Sequence, residues 1–171
     1  RTDFYSIHFP TLDIVYVVGK DGAIFKTNFS GQNWEFLING FKNNLKFVHF
    51  LNSDTGFVGG NLGGNLLTTN DGGNSWNVKS FSNLGIGYMG SIFFLNKKIG
   101  YILSNELLKT IDGGENWFVL DSIDYSHFRK VDFINDTLGY IAGTGLPNLL
   151  KTTDGGMTWQ VSPHASNAGL T

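Results

Sequence analysis

The chain has 171 residues, with twelve Lys or Arg against fourteen Asp or Glu and a net charge of -2, so no basic field draws in a phosphate backbone and nucleic acid is excluded as a partner. It contains no Cys, which removes thiol catalysis, thiolate metal sites and disulfides together while leaving the redox compartment open. No apolar run approaches the ~18 residues a membrane helix needs, so helical membrane insertion is excluded too. Gly (23 residues) and aromatics (15%) are abundant while charges are few (15%), a composition for short strands joined by tight turns.

In chain order, the first alternating runs are SIHFP (Ser6 to Pro10), IVYVVG (Ile14 to Gly19), AIFKTN (Ala23 to Asn28) and NWEFL (Asn33 to Leu37). Each alternates at period 2 and is rich in β-branched or aromatic residues, so each predicts a strand. The pattern recurs as LKFVHFL, TGFVGG, NLLTTN and SWNVKSF between Leu45 and Phe81, then as SIFFLN, IGYILS, LLKTID and NWFVL between Ser91 and Leu120. It recurs once more as RKVDFIN, LGYIAG, LLKTTD and TWQVS between Arg129 and Ser162. The runs are too short and too punctuated by Gly for helical pairs.

The four tryptophans, Trp34, Trp76, Trp117 and Trp159, fall 42, 41 and 42 residues apart. Four strands in each ~42-residue period predict a β-propeller blade. The blades are expected at about 4–38, 45–81, 90–120 and 128–162, in one all-β propeller segment over 1–171.

One phrase marks the turn between the third and fourth strands: LTTNDGGNSW (Leu67 to Trp76), LKTIDGGENW (Leu108 to Trp117) and LKTTDGGMTW (Leu150 to Trp159). Asp71, Asp112 and Asp154 can accept backbone N–H bonds within the turn, after Thr69, Thr110 and Thr152. The Gly pairs that end in Gly73, Gly114 and Gly156 permit positive φ. The Trp that follows offers a large apolar plate for the space between blades. The phrase therefore reads as a hairpin clamp, with its Asp residues structural. In the first copy, FKTNFSGQNW (Phe25 to Trp34), Thr27, Gly31 and Trp34 remain, but Phe29 and Ser30 replace the Asp and first Gly. That turn has to be closed in another way, and a degenerate terminal repeat reads as a boundary blade.

These motifs resemble the Asp-box, or bacterial neuraminidase repeat, of sialidase-like propellers and related glycoside hydrolases. The longer unit seen in HFLNSDTGFVGG and DFINDTLGYIAG is most similar to the repeats of the photosystem II assembly and stability factor family and of related secreted bacterial proteins. The resemblance covers about Phe4 to Val161 and implies a propeller fold. Propellers host many unrelated activities, so it implies much less about function. Sialidases bind the substrate carboxylate with three arginines, and this chain has only Arg1 and Arg129. The assembly factors' arginine-rich contact surface likewise has no counterpart here.

Two sets of residues could carry function. SIHFP, FVHFL, SIFFL and KVDFI place His8, His49, Phe93 and Asp132 at one position of each first strand. There the two histidines and the carboxylate could converge on a metal or polar ligand, although lone histidines in apolar strands are usually satisfied by hydrogen bonds within the fold. Nothing has metal-ligand spacing, and no catalytic triad or paired acid stands out. The second set lies in the loops INGFKNN (Ile38 to Asn44), FSNLGIGYM (Phe81 to Met89) and DSIDYSHF (Asp121 to Phe128). In them Phe41, Phe81, Tyr88, Tyr125 and His127 stand among Asn, Ser and Gly, a mixture suited to peptide or carbohydrate contact.

Four blades sit at the low end of the ~4 to 8 that propellers use. With an N-terminus that lacks Met and an ending that approaches a further blade, we expect a segment of a larger propeller, its open edges covered by remaining blades or another chain. The expected function is a non-catalytic binding or scaffold module, without cofactor or metal, taking a protein or glycan partner through its loop face. An extracellular, cell-surface or periplasmic bacterial location goes with it. The alternatives are a fragment of an Asp-box glycoside hydrolase and a photosystem-type assembly factor.

Overall fold

Period-2 alternation produces sixteen strands among the residues that the computed structural model describes, which are 2–120, 124–144 and 147–162. The first sheet holds β1 (Phe4–His8), β2 (Val15–Gly19), β3 (Ile24–Thr27) and β4 (Glu35–Phe36). The second holds β5 (Leu45–Phe50), β6 (Gly56–Gly60), β7 (Asn65–Thr69) and β8 (Asn77–Ser80). The third holds β9 (Met89–Phe94), β10 (Gly100–Ser104), β11 (Leu107–Thr110) and β12 (Phe118–Val119), and the fourth β13 (Phe128–Phe133), β14 (Gly139–Gly143), β15 (Leu149–Thr152) and β16 (Gln160–Val161). Each sheet has its strands hydrogen-bonded in sequence order, so every connection is a local antiparallel hairpin. The described residues include no helix long and apolar enough to cross a membrane.

The chain divides into two compact units, Arg1–Gly90 and Ser91–Thr171. In the first, Tyr16, Val18 and Ile24 of the first sheet are buried with Val48, Phe50, Val58 and Leu67 of the second. Each of these fully buried side chains contributes about 1.5–3 kcal/mol. The second unit repeats the arrangement: Tyr101, Leu103 and Leu107 of the third sheet lie with Val131, Phe133, Ile141 and Leu150 of the fourth. Every residue of β6 and of β10 is buried.

The same bond set joins the sheets in both units. Tyr16 Oη donates to the Gly72 carbonyl at 2.8 Å and Lys26 Nζ donates to the same oxygen at 3.0 Å. Tyr101 Oη and Lys109 Nζ both donate to the Gly155 carbonyl at 3.1 Å. The Tyr16 ring stacks on Phe50 at 3.8 Å, and the Tyr101 ring on Phe133 at 4.0 Å.

The receiving carbonyls sit in the repeated turn phrase. Thr69 Oγ1 accepts from the Gly73 amide at 2.9 Å and donates to Asp71, whose carboxylate accepts from the Ser75 amide and hydroxyl. Thr110 with Asp112 and Thr152 with Asp154 repeat this geometry. Gly72 and Gly155 take φ of 68° and 74°, the left-handed region that aims their carbonyls at the neighbouring Tyr and Lys. The hydroxyl and amide of Ser75, then Thr69, hold the Asp71 carboxyl down at about 2, and Thr158 followed by Thr152 does the same for Asp154.

In the first copy Ser30 keeps the left-handed conformation, with φ of 50°, although it is not glycine. Its hydroxyl donates to Asp13 Oδ1 at 2.9 Å and its amide to the Asp13 carbonyl at 3.0 Å. A carboxylate from the β1–β2 connection therefore closes the turn that lacks its own Asp.

Candidate functional site

The loops β2–β3 and β4–β5 meet in a cleft of about 290 Å³ lined by Asp21, Phe36, Ile38, Asn39, Phe41 and Lys42, with Gly22 and Gly40 in its backbone. The cleft is built from short-range hydrogen bonds. Asn39 Nδ2 donates to the Gly22 carbonyl at 2.7 Å while Asn39 Oδ1 accepts from the Phe41 amide at 3.0 Å. The Gly22 amide donates to the Asn43 carbonyl and the Asp21 amide to Asn44 Oδ1. Asp21 is itself left-handed at φ 55°, an uncommon conformation for a non-glycine residue. A Cβ at Gly22 would sit 1.9 Å from the Phe41 carbonyl oxygen, so only glycine lets the two loops approach this closely. Phe41 is half-buried, whereas Ile38 is 81% exposed.

The sequence pattern singles out Phe41 alone in this loop. The structure adds Ile38, Phe36, Lys42 and Asp21 around it. An exposed Ile inside an Asn- and Gly-rich loop is the one signal that could have marked the place.

Of the other loop aromatics in this unit, Phe81 is a correction: it is buried, its amide bonds the Gly64 carbonyl, and it offers no contact surface. Tyr88 lies at the surface, its ring over Gly90. His8 and His49 do meet, with ring centroids 4.5 Å apart. His8 Nε2 is 3.0 Å from the Phe50 carbonyl, so it carries the proton and is spent on a bond between the first and second sheets. Burial holds the His8 imidazole below its ordinary range against the opposing effect of that bond.

In the second unit Tyr125 is the second correction. It is completely buried in the core beside Phe128, 6.0 Å between centroids, and its amide bonds the Asn105 carbonyl. His127 and Asp132 are exposed, and Phe93 packs against Phe133. Asp121, Ser122 and Ile123 of that loop, and Gly145 and Leu146 between β14 and β15, lie outside the described residues. No cluster of three metal-ligating side chains exists among the described residues.

A second concavity is wholly apolar. Phe4, Ile7, Val17, Phe25 and Trp34 line a hollow of about 500 Å³ on the open face of the first sheet. Phe4 meets Phe25 edge-on at 5.7 Å, and Ile7 is 53% exposed.

No family model matches the sequence, and no curated protein matches it significantly. Solved structures do match. One described as YCF48 bound to D1 peptide aligns over 98% of this chain and 84% of its own, with a TM-score of 0.63 and 17% identity. YCF48 from Cyanidioschyzon merolae aligns over 98% of this chain and 57% of its own at a TM-score of 0.75 and 19% identity. An ancestral GH74 enzyme aligns over 93% of this chain at a TM-score of 0.75 and 19% identity, but the match spans only 24% of that enzyme. At such identities the likeness establishes architecture: the chain has the β-propeller fold, all-β, in four-stranded antiparallel blades.

Proposed function

We propose that this chain is a non-catalytic binding module that takes a segment of a protein partner in the cleft between the Lys20–Gly22 turn and the Ile38–Asn44 loop. The observation that carries the reading is the cleft itself. An exposed Ile38 stands beside Phe36 and Phe41, with Asp21 and Lys42 of opposite charge in the same lining. Two loops braced by Asn39, Asn43 and Asn44 hold that surface in place. A pre-ordered cleft avoids much of the entropy cost of binding, and its apolar and charged groups suit an extended peptide with an apolar anchor. That a structure of this fold is described as bound to a D1 peptide supports a protein partner over a glycan. A secreted or surface-exposed location goes with this reading and rests on the repeat's resemblance alone.

The hydrolase alternative draws on the likeness to GH74 enzymes. Glycoside hydrolysis uses two carboxylates across the scissile bond, whereas the cleft lining supplies one, Asp21.

The test selects peptides from a displayed random library on the immobilised chain and measures their affinity for wild type, Ile38→Asp and Lys42→Glu. Xyloglucan oligosaccharides are titrated and incubated in parallel. The reading predicts a selected peptide whose affinity falls at least tenfold in Ile38→Asp, with unchanged Tm. Oligosaccharide binding or cleavage, or peptide binding indifferent to both substitutions, would overturn it.

A further inference from the structure

Asn39 is the only asparagine in the sequence that is followed by glycine, and both residues line the cleft. An asparagine side chain is consumed when the backbone nitrogen of the next residue attacks its Cγ. Glycine is the successor that permits this, since no Cβ shields its nitrogen or restricts the backbone rotation that ring closure needs. Gly40 is exposed at φ 80°, and nothing stands within 4 Å of the place a Cβ would take. Its amide makes no hydrogen bond among the described residues.

The Asn39 side chain is also held for the attack. Its Oδ1 accepts from the Phe41 amide at 3.0 Å, and that bond closes a turn whose ring contains both Asn39 Cγ and the Gly40 nitrogen. The reacting atoms are thereby kept together, and the Phe41 amide is placed to stabilise the negative charge that develops on Oδ1. Asn52, Asn96 and Asn135 make the same turn, each accepting from the amide two residues on. Their successors are Ser53, Lys97 and Asp136, so the three are internal controls that share the turn and lack the glycine.

We infer that Asn39 is a modification site, at which the folded chain deamidates itself and so loosens the cleft. The Gly40 nitrogen gives its proton to water or hydroxide and bonds to Asn39 Cγ. The Cγ–Nδ2 bond breaks, and Nδ2 leaves with a proton from solvent as ammonia. Water then opens the succinimide at either carbonyl, which leaves aspartate or isoaspartate. Water is the only co-reactant. In the intact chain Asn39 Nδ2 donates to the Gly22 carbonyl at 2.7 Å. A carboxylate has no proton to donate there, so it sets oxygen against oxygen and leaves that carbonyl unserved. The bond from the Gly22 amide to the Asn43 carbonyl then opens more often, because the brace beside it is gone. The effect on peptide capture rests on the binding reading above: a deamidated chain loses the selected peptide.

The test incubates the folded 171-residue chain at mildly alkaline pH, well below its Tm, and follows each asparagine by peptide mapping and mass spectrometry. The mass rise from amide to acid should appear at Asn39 at least tenfold faster than at Asn52, Asn96 or Asn135, with aspartate and isoaspartate both found. It should be absent from position 39 in Asn39→Gln, whose longer side chain cannot close the five-membered ring. Isomerisation at Asp21 leaves the mass unchanged, so it is not mistaken for this reaction. Hydrogen exchange, measured without peptide, should be at least tenfold faster at the Gly22 amide in the aged chain and in Asn39→Asp, with exchange in β6 unchanged. An Asn39 that reacts no faster than the three controls, or a Gly22 amide whose exchange does not change, overturns the inference whether or not a peptide binds. Rapid deamidation in a chain that selects no peptide would instead overturn the binding reading alone.

Discussion

The Tyr16 hydroxyl donates to the carbonyl oxygen of Gly72 at 2.8 Å, and Tyr101 repeats the bond to Gly155 at 3.1 Å. Each joins one blade to the turn of the next. Burial raises the Tyr16 hydroxyl above its ordinary range, with Asp54 and Asp71 adding to the rise, and burial followed by Asp136 pushes Tyr101 up to about 12. Both phenols therefore stay neutral donors. Tyr16→Phe should cost about 1 kcal/mol, a fall in Tm of roughly 2–4 °C, since Lys26 still serves the carbonyl. Lys26→Met together with Tyr16→Phe should cost more than the sum of the two, since Gly72 then loses both donors. A double-mutant cycle by thermal unfolding reads the coupling.

Thr152 Oγ1 accepts from the Gly156 and Asp154 amides and is almost fully buried. Thr152→Val keeps the shape and removes the acceptor, leaving the turn amides unserved. The expected cost is about 2 kcal/mol, seen as a Tm roughly 4–8 °C lower.

Acid should act through the same turns. Asp71 and Asp154 titrate at about 2 in the folded chain against an ordinary 3.8. Their stabilising effect is thus complete above about pH 4 and is lost as the pH falls toward 2. A Tm series from pH 5 to pH 2 should fall steeply below pH 4, and Asp71→Asn with Asp154→Asn should flatten that part of the curve. Equal slopes in variant and wild type would refute the assignment.

A Cβ on Gly139 would stand 2.4 Å from the Phe133 ring, and Gly56 and Gly100 are crossed in the same way by Phe50 and Phe94. Gly139→Ala should displace the ring from its stack on Tyr101, at a cost of about 1–3 kcal/mol. Near-ultraviolet circular dichroism and Tm both report it.

The blades were legible in the sequence because period 2, turn glycines and Trp34, Trp76, Trp117 and Trp159 all act locally. The closure of the Ser30 turn was half legible: the missing Asp showed that another group was needed, but Asp13 is seventeen residues away, and nothing local named it. Phe81 and Tyr125 misled because a loop aromatic that covers a blade edge has the same polar sequence neighbours as one that meets a ligand. His8 and His49 shared a position, as their strands required, yet which acceptor His8 found depended on the Phe50 carbonyl of the next sheet. Ile38 and Lys42 gained meaning only when Asn39 folded their loop onto Gly22.

The most direct measurement for the binding proposal is an amide chemical-shift titration of the isotope-labelled chain with the strongest selected peptide. The account predicts saturable shifts centred on Asp21, Gly22 and Ile38 to Lys42, lost in Ile38→Asp. Shifts centred elsewhere, or none at a saturating peptide concentration, would contradict it.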